Sequence, residues 1–148
     1  MIAAALALAA ASPAFQPFQF LVGHCWRTTL KEGPTDTHCF ASVAADSQIR
    51  DRHKVRKEGQ VIYSGESVIS VAKAKLHYDY QGSTGLKYDG PIRIAGEKII
   101  FDSTERTESV TYWRQVDPTH YEQLTTDPPE LKHFDDQRIF ELVADEQP

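Results

Sequence analysis

The sequence predicts an all-β protein, an antiparallel meander of about eight to ten strands closed into a barrel. Apolar and polar residues alternate with a period of two along most of the chain after Phe20, which is the pattern of strands with one buried face. Short segments rich in Gly, Pro and Asp separate the alternating runs, as expected for hairpin turns. No segment shows an apolar period of 3.6 residues, and closure into a barrel removes the open edges of such a sheet.

Ten segments are predicted as strands. They are Leu21–Leu30, Asp36–Val43, Gln48–Arg56, Gln60–Val71, Lys75–Gln81, Pro91–Ala95, Lys98–Ser103, Ser109–Val116, Tyr121–Thr126 and Arg138–Val143. Turn residues such as Glu32-Gly33-Pro34 and Asp117-Pro118 lie between them. The segment Pro128–Gln137 is predicted as a loop or one helical turn that exposes His133.

The first residues have the character of a secretory signal peptide. Ile2–Ala11 is almost entirely Ala and Leu, and Ser12 and Ala14 place small residues before a cleavage point that follows Ala14. The apolar run is shorter than the roughly 20 residues that span a bilayer, and no Lys or Arg precedes it. We therefore expect a signal peptide at residues 1–14, one barrel domain at residues 15–148, and a periplasmic or secreted protein. An apolar N-terminal helix is the alternative.

The charge of the chain restricts its partners. The formal net charge is -5, which argues against nucleic acids and anionic membranes, since both require a basic surface. No further apolar segment is long enough for a membrane span. The third predicted strand carries a basic stripe on one face, Arg50, Arg52, Lys54 and Arg56, and these charges must face water. The stripe is expected to solvate the barrel wall, with an acidic partner as the alternative.

The segment Phe20-Leu21-Val22-Gly23-His24-Cys25-Trp26-Arg27 resembles the opening strand of lipocalin-like, or calycin, barrels, in which a Trp follows a Gly at the closed base. The segments Asp36–Phe40 and Arg50–His53 are similar to those of small, uncharacterised secreted bacterial members of this group. The resemblance implies a barrel with an internal cavity and no agreed activity. It also implies that Phe15, Phe18 and Phe20 form a short plug before the first strand.

The register of the first predicted hairpin brings the two cysteines together. A turn at Glu32-Gly33 sets Cys25 opposite Cys39 and Trp26 opposite His38, and directly opposed residues lie within about 5 Å of each other. In an oxidising compartment this pair is expected to form a disulfide. Two free thiols or a pair of metal ligands are the alternatives.

A second turn near Ala45-Asp46 sets His38 opposite His53 and Phe40 opposite Asp51. Because strand side chains alternate between faces, the face opposite the basic stripe is interior. It is predicted to carry His24, Trp26, Asp36, His38, Phe40, Ile49, Asp51, His53 and Val55. From this face we predict a site for a small apolar or aromatic ligand, made by His24, Trp26, His38, Phe40, Asp51 and His53.

Buried His and Asp side chains need partners, and three kinds of partner are compatible with the pattern. The simplest is a His–Asp hydrogen-bond network in a partly wet pocket. A second is zinc or another metal held by His24, His38 and His53. A third is haem bound through His77 or His120, flanked by Tyr112, Trp113 and Tyr121. We expect no cofactor, with zinc and haem as alternatives.

Catalysis requires an acid–base pair and, for covalent chemistry, a nucleophile. His38 or His53 held by Asp51 would make a general base. No Ser lies in a nucleophile-elbow context. Glu66 follows Gly65 in a predicted strand and is expected to face outward, with an inward acid–base role as the alternative. A binding protein is therefore preferred to an enzyme.

Overall fold

The computed structural model describes residues 11–102, 110–126 and 135–148. A short 3-10 helix at Pro13–Phe18 precedes ten strands. The strands are β1 (Cys25–Thr29), β2 (Thr35–Val43), β3 (Gln48–Lys57), β4 (Gln60–Ala72), β5 (Lys75–Gly82), β6 (Lys87–Ala95), β7 (Lys98–Phe101), β8 (Val110–Asp117), β9 (His120–Thr126) and β10 (Asp135–Val143).

The ten strands form one closed antiparallel barrel. Each strand pairs with its neighbours in the sequence, and β1 pairs with β10 through Cys25 and Val143, so that the sheet has no open edge. The predicted fold class is confirmed, and this architecture is compatible with a calycin-like barrel. Among the described residues, no helix is both long and apolar enough to cross a membrane.

Three strand boundaries differ by three or more residues from those predicted. β1 begins at Cys25 and not at Leu21, because Gly23 turns the backbone at φ +84° and Val22 instead forms a parallel bridge with Phe40. β6 begins four residues before Pro91, and β10 three residues before Arg138. Residues 103–109, residues 127–134 and the predicted exposure of His133 lie outside the described residues.

One end of the barrel is filled by aromatic side chains. Phe15 and Phe18 of the 3-10 helix are buried and pack into the same core cluster as Trp26, Tyr121 and Phe140. The rings of Tyr121 and Phe140 stack with centroids 4.7 Å apart, and Trp26 packs edge-on against Tyr121 at 5.4 Å. The helix thus closes this end, which we call the base, and any internal space must lie towards the other end.

Both predicted hairpin registers are confirmed. Cys25 pairs with Cys39 and Trp26 with His38 across β1 and β2, and His38 pairs with His53 across β2 and β3. Cys25 and Cys39 form a disulfide with Cα atoms 4.1 Å apart. Because side chains alternate, this bond lies on the face opposite to that of Trp26 and His38.

Removal of the disulfide is expected to lower the free energy of unfolding by about 3 kcal/mol, since the bond closes a loop of roughly 15 residues in the unfolded chain. The double variant Cys25→Ser with Cys39→Ser tests this by urea denaturation, with wild type in dithiothreitol as a second measurement. Val43→Ser, a substitution elsewhere on β2, is a control with an unchanged response to dithiothreitol. Equal stability of oxidised and reduced wild type would contradict the expectation.

Candidate functional site

The half of the barrel away from the base contains a cavity of about 400 Å³. Five aromatic side chains line it, from four different strands: Tyr78, Tyr80, Tyr88, Phe101 and Trp113. The cavity also reaches Leu86, whose side chain is among the exposed large hydrophobic groups. A volume of this size falls within the range of small-molecule pockets, roughly 300 to 1,000 Å³.

A polar group lies on the wall formed by β2 and β3. It consists of Asp36, His38, Asp51 and His53, which we call the His–Asp cluster. Asp36, His38 and Asp51 are buried, and the His53 side chain is 11% exposed. The opposite face of these strands points to solvent. On that face Arg52 forms an exposed salt bridge of 2.7 Å with Glu66. Strand alternation therefore directs all four side chains of the cluster inward.

Hydrogen bonds join the cluster into a continuous chain. His38 Nδ1 lies 2.7 Å from Asp51 Oδ2, and His38 Nε2 lies 3.4 Å from Asp36 Oδ2. The other oxygen of Asp36 is 3.0 Å from His53 Nδ1. The two imidazole rings stack with centroids 4.6 Å apart and planes at 19°. One carboxylate is thus shared by two imidazoles, as the predicted His–Asp network requires.

Two tyrosines extend this chain across the barrel. His53 Nε2 lies 3.0 Å from Tyr80 Oη, which is 2.6 Å from Tyr63 Oη. The space for these groups exists because Gly65 and Gly82 pair directly with each other on β4 and β5. A Cβ on Gly65 would lie 2.5 Å from His53 Nε2 and closer still to Tyr80 Oη, and one on Gly82 would meet Tyr63 Oη.

Positive charge near the cluster comes from Arg138 of β10. Its Nη1 lies 3.5 Å from Asp36 Oδ2, while its Nη2 lies 2.8 Å from Asp136. The Arg138 guanidinium therefore contacts two carboxylates, those of Asp36 and Asp136. One oxygen of Asp51, Oδ1, is buried without a hydrogen-bond partner, so the cluster has acceptor capacity that its own side chains leave unfilled.

The cluster strongly changes the protonation of its members. Burial alone would lower the pKa of His38, but the charge of Asp51 and the hydrogen bonds to Asp36 and Asp51 raise it to about 10. Burial would raise the pKa of Asp36, yet hydrogen bonds from His38 and His53 hold it well below its usual value. Burial also raises the pKa of Tyr80, and the hydrogen bond with Tyr63 adds to this effect. His38 is consequently a cation at neutral pH.

The predicted ligand-binding residues are divided between two regions. His38, His53 and Asp51 line the cavity. Trp26 and Phe40 are buried in the core cluster with Phe15 and Phe18 and do not line the cavity.

His24 requires a correction, because its side chain is exposed and lies before β1. The alternation of side chains along a strand predicts which face of the sheet a residue lies on, but not its position along the barrel axis. His24 lies on the base side of Trp26, whose ring it meets edge-on at 6.4 Å. The predicted trio of His24, His38 and His53 is thus not brought together.

The two histidines suggested for haem also lie outside the barrel, although Trp113 and Tyr121 are buried inside it. His77 is 40% exposed and lies near Asp79 and Asp89, and His120 contacts Asp117 in the turn between β8 and β9. Tyr112 stacks under the Lys98 ammonium on the outer face. A haem ligand would have to face the cavity, and neither histidine does so.

Comparison with protein-family models and with curated proteins finds no match to the sequence. The functional interpretation therefore depends on the geometry of the cavity and its cluster.

Sequence analysis did not identify Tyr63, Tyr80, Gly65 or Arg138 as site residues. The main obstacle is a β-bulge between β3 and β4. Near the turn, Arg56 pairs with Val61, but Val55 pairs with Tyr63, so Ile62 is an extra residue. A turn at Glu58-Gly59 without this bulge would place Ser64 and Glu66 inside. With the bulge, Tyr63 and Gly65 face inward and Glu66 pairs with Arg52 outside.

Gly65→Ala is expected to destabilise the protein by about 1 to 3 kcal/mol, the usual cost of overpacking, because the new methyl group displaces His53 and Tyr80. The control Ser64→Ala changes the neighbouring outward residue and should alter stability by less than about 0.5 kcal/mol. Urea denaturation measures both effects. A Gly65→Ala protein as stable as the control would show that the contact with His53 does not constrain this position.

The raised pKa of His38 predicts that the free energy of unfolding depends on pH. Folded His38 holds its proton up to about pH 10, whereas the ordinary value is 6.5. Its stabilising contribution is complete below pH 6.5 and is lost as pH rises towards 10, by up to about 1.4 kcal/mol per pH unit. Denaturation of wild type between pH 6.5 and 10 measures this slope, and His38→Gln should show a smaller one. Identical slopes for wild type and His38→Gln would contradict the raised pKa of His38.

Proposed function

We propose that this protein binds a small, mainly apolar or aromatic molecule inside the barrel. The single observation that carries the proposal is the cavity of about 400 Å³, with aromatic walls and the His–Asp cluster on one side. Pockets that combine an apolar lining with a few convergent polar groups are typical of small-molecule sites. The aromatic plug at the base leaves this space in the opposite half of the barrel.

The walls favour a flat ligand. Phe101 and Trp113 pack with centroids 4.4 Å apart, and Tyr80 stacks on Tyr88 at 5.9 Å across the cavity wall. An aromatic ligand that packs against the apolar faces of these rings is stabilised in two ways, by burial of its surface and by stacked or edge-on ring contacts. His53, the least buried member of the His–Asp cluster, is the residue best placed to give such a ligand a directional contact.

Polar groups on the far wall define a second point of contact. Trp113 Nε1 donates to Gln123 Oε1 at 3.1 Å, and the hydroxyls of Thr111 and Thr125 lie 2.9 Å apart. Gln123, Thr111 and Thr125 line the cavity. Their amide and hydroxyl groups exchange partners readily. A ligand with one polar substituent on an apolar body matches this distribution.

We further propose that the protein acts outside the cytoplasm and is related to lipocalin-like barrels. The Cys25–Cys39 disulfide supports an oxidising compartment, where such bonds persist. Ten antiparallel strands in one closed barrel with a helix at the base support the relation. Sequencing the N-terminus of protein recovered from the periplasm or medium tests the proposed signal peptide at residues 1–14, with Phe15 as the expected first residue.

Binding can be tested with the neutral aromatic dye N-phenyl-1-naphthylamine, whose fluorescence rises in apolar surroundings. Wild type is expected to bind one equivalent, and Thr111→Trp should weaken binding at least about tenfold because the indole occupies cavity volume. Val116→Trp places the same side chain on β8 at a position that is 51% exposed and is the matched control.

Energy transfer to the bound dye identifies the site further, since the chain has two Trp residues. Trp113→Phe should change the dye affinity and the transfer more than Trp26→Phe, because Trp113 lines the cavity and Trp26 does not. Failure of folded wild type to bind this dye, or equal binding by the Thr111→Trp and Val116→Trp variants, would count against the proposed pocket.

A further inference from the structure

We propose that Asp36, His38 and His53 bind one divalent transition-metal ion of the zinc type, with a coordination position open to the cavity. This set differs from the trio of histidines suggested by the sequence, because Asp36 takes the place of His24. It goes beyond the proposed ligand binding, since it concerns the wall of the cavity and is tested with the metal ion alone.

Each of the three side chains offers one possible ligand atom, and these atoms lie close together. His38 Nε2 lies 3.4 Å from one oxygen of Asp36 and His53 Nδ1 lies 3.0 Å from the other, and all three ligand atoms fall within 4.8 Å of one another. Ligand atoms on a tetrahedral zinc ion, with bonds of about 2.0 to 2.1 Å, are separated by about 3.3 Å. The two contacts to Asp36 are close to this length but join different oxygens of its carboxylate. Binding of one ion therefore requires a small rotation of these side chains that brings one carboxylate oxygen and both nitrogens around a common point.

Each imidazole is also held from behind. The nitrogen of His38 that does not face Asp36 lies 2.7 Å from Asp51 Oδ2, and the corresponding nitrogen of His53 lies 3.0 Å from Tyr80 Oη. A metal-bound histidine nearly always donates its second N–H to such an outer group, which fixes the ring and its tautomer. Both outer partners are present here, and in both rings the other nitrogen faces Asp36, where a metal ion would replace the hydrogen bond to that carboxylate.

Charge favours an ion at this position. Asp36 and Asp51 are 2% and 1% exposed, and buried carboxylates need compensating positive charge. Protonated His38 and Arg138 supply part of it, although the closer contact of Arg138 is with Asp136. A metal ion that binds His38 Nε2 takes the place of the proton on that atom. A divalent cation bonded to Asp36 neutralises the negative charge of the buried carboxylates. His38 and His53 supply nitrogen ligands, which favour zinc, whereas calcium and magnesium favour oxygen ligands.

The outer surface offers an internal control. His77, Asp79 and Asp89 also place ligand atoms within 4.8 Å of one another, but their side chains are 40%, 68% and 47% exposed. Exposed groups remain hydrated and are not fixed by packing, so that an ion gains less from binding them. The inner set has two His and one Asp and is buried, whereas the outer set has one His and two Asp and is exposed.

Calorimetric titration of chelator-treated, oxidised protein with Zn²⁺ tests the proposal, with Co²⁺ absorption as a report of coordination by nitrogen ligands. Wild type is expected to bind one equivalent. Asp36→Asn and His53→Gln should each weaken binding by more than about 100-fold, and Asp51→Asn, an outer partner, by about 10- to 100-fold. His77→Gln should leave the affinity unchanged.

The outcomes separate the alternatives. Absence of stoichiometric Zn²⁺ binding by folded wild type overturns the proposal, as does binding that is lost in His77→Gln and kept in Asp36→Asn. If Asp36→Asn does not fold, judged by its circular dichroism, His53→Gln decides the matter, since His53 is the more exposed ligand. Binding of N-phenyl-1-naphthylamine is measured separately on metal-free protein, so that loss of the metal site and loss of the aromatic pocket are distinguishable.

Discussion

The carboxylate of Asp36, shared by two imidazoles inside the barrel, is the interaction on which the polar half of this structure depends. Its contacts with His38 and His53 allow a charged group to remain buried, because each hydrogen bond replaces one that water would have made. The register of β2 against β3 brings these residues into one layer. A shift of one residue would turn the cluster outward and the basic stripe inward.

The barrel is divided into two chemically distinct halves. The base is filled by rings from the 3-10 helix and from strands on both sides of the closure, among them Phe18, Trp26 and Phe140. These side chains supply the apolar burial that stabilises the fold. The other half is less completely filled, and there the interior carries hydroxyl, amide and charged groups around the cavity. Apolar packing and the cavity with its polar groups thus lie at different ends of the same strands.

The sequence predicted those features that depend on local pairing. A hairpin turn fixes the sum of the residue numbers that face each other, and two turns were sufficient to pair Cys25 with Cys39 and His38 with His53. It did not predict features that depend on irregularity. The extra residue at Ile62 reverses the faces of β4. The turn between β4 and β5 lies where the predicted strands placed it, but its Lys73 and Ala74 adopt positive φ without a Gly or Asn to indicate this conformation. Arg138 lies near Asp36 because closure of the barrel brings β10 next to β1. Pairing between strands that are neighbours in the sequence does not predict this contact.

The position of the disulfide has a consequence for the maturation of the chain. Cys25 and Cys39 are directly opposed only when β1 and β2 are aligned as in the native barrel. A slip of one residue moves the two thiols onto opposite sides of the ribbon, where they cannot form a bond. Only a correctly aligned hairpin can therefore form this bond, and a hairpin that is misaligned by one residue keeps two free thiols.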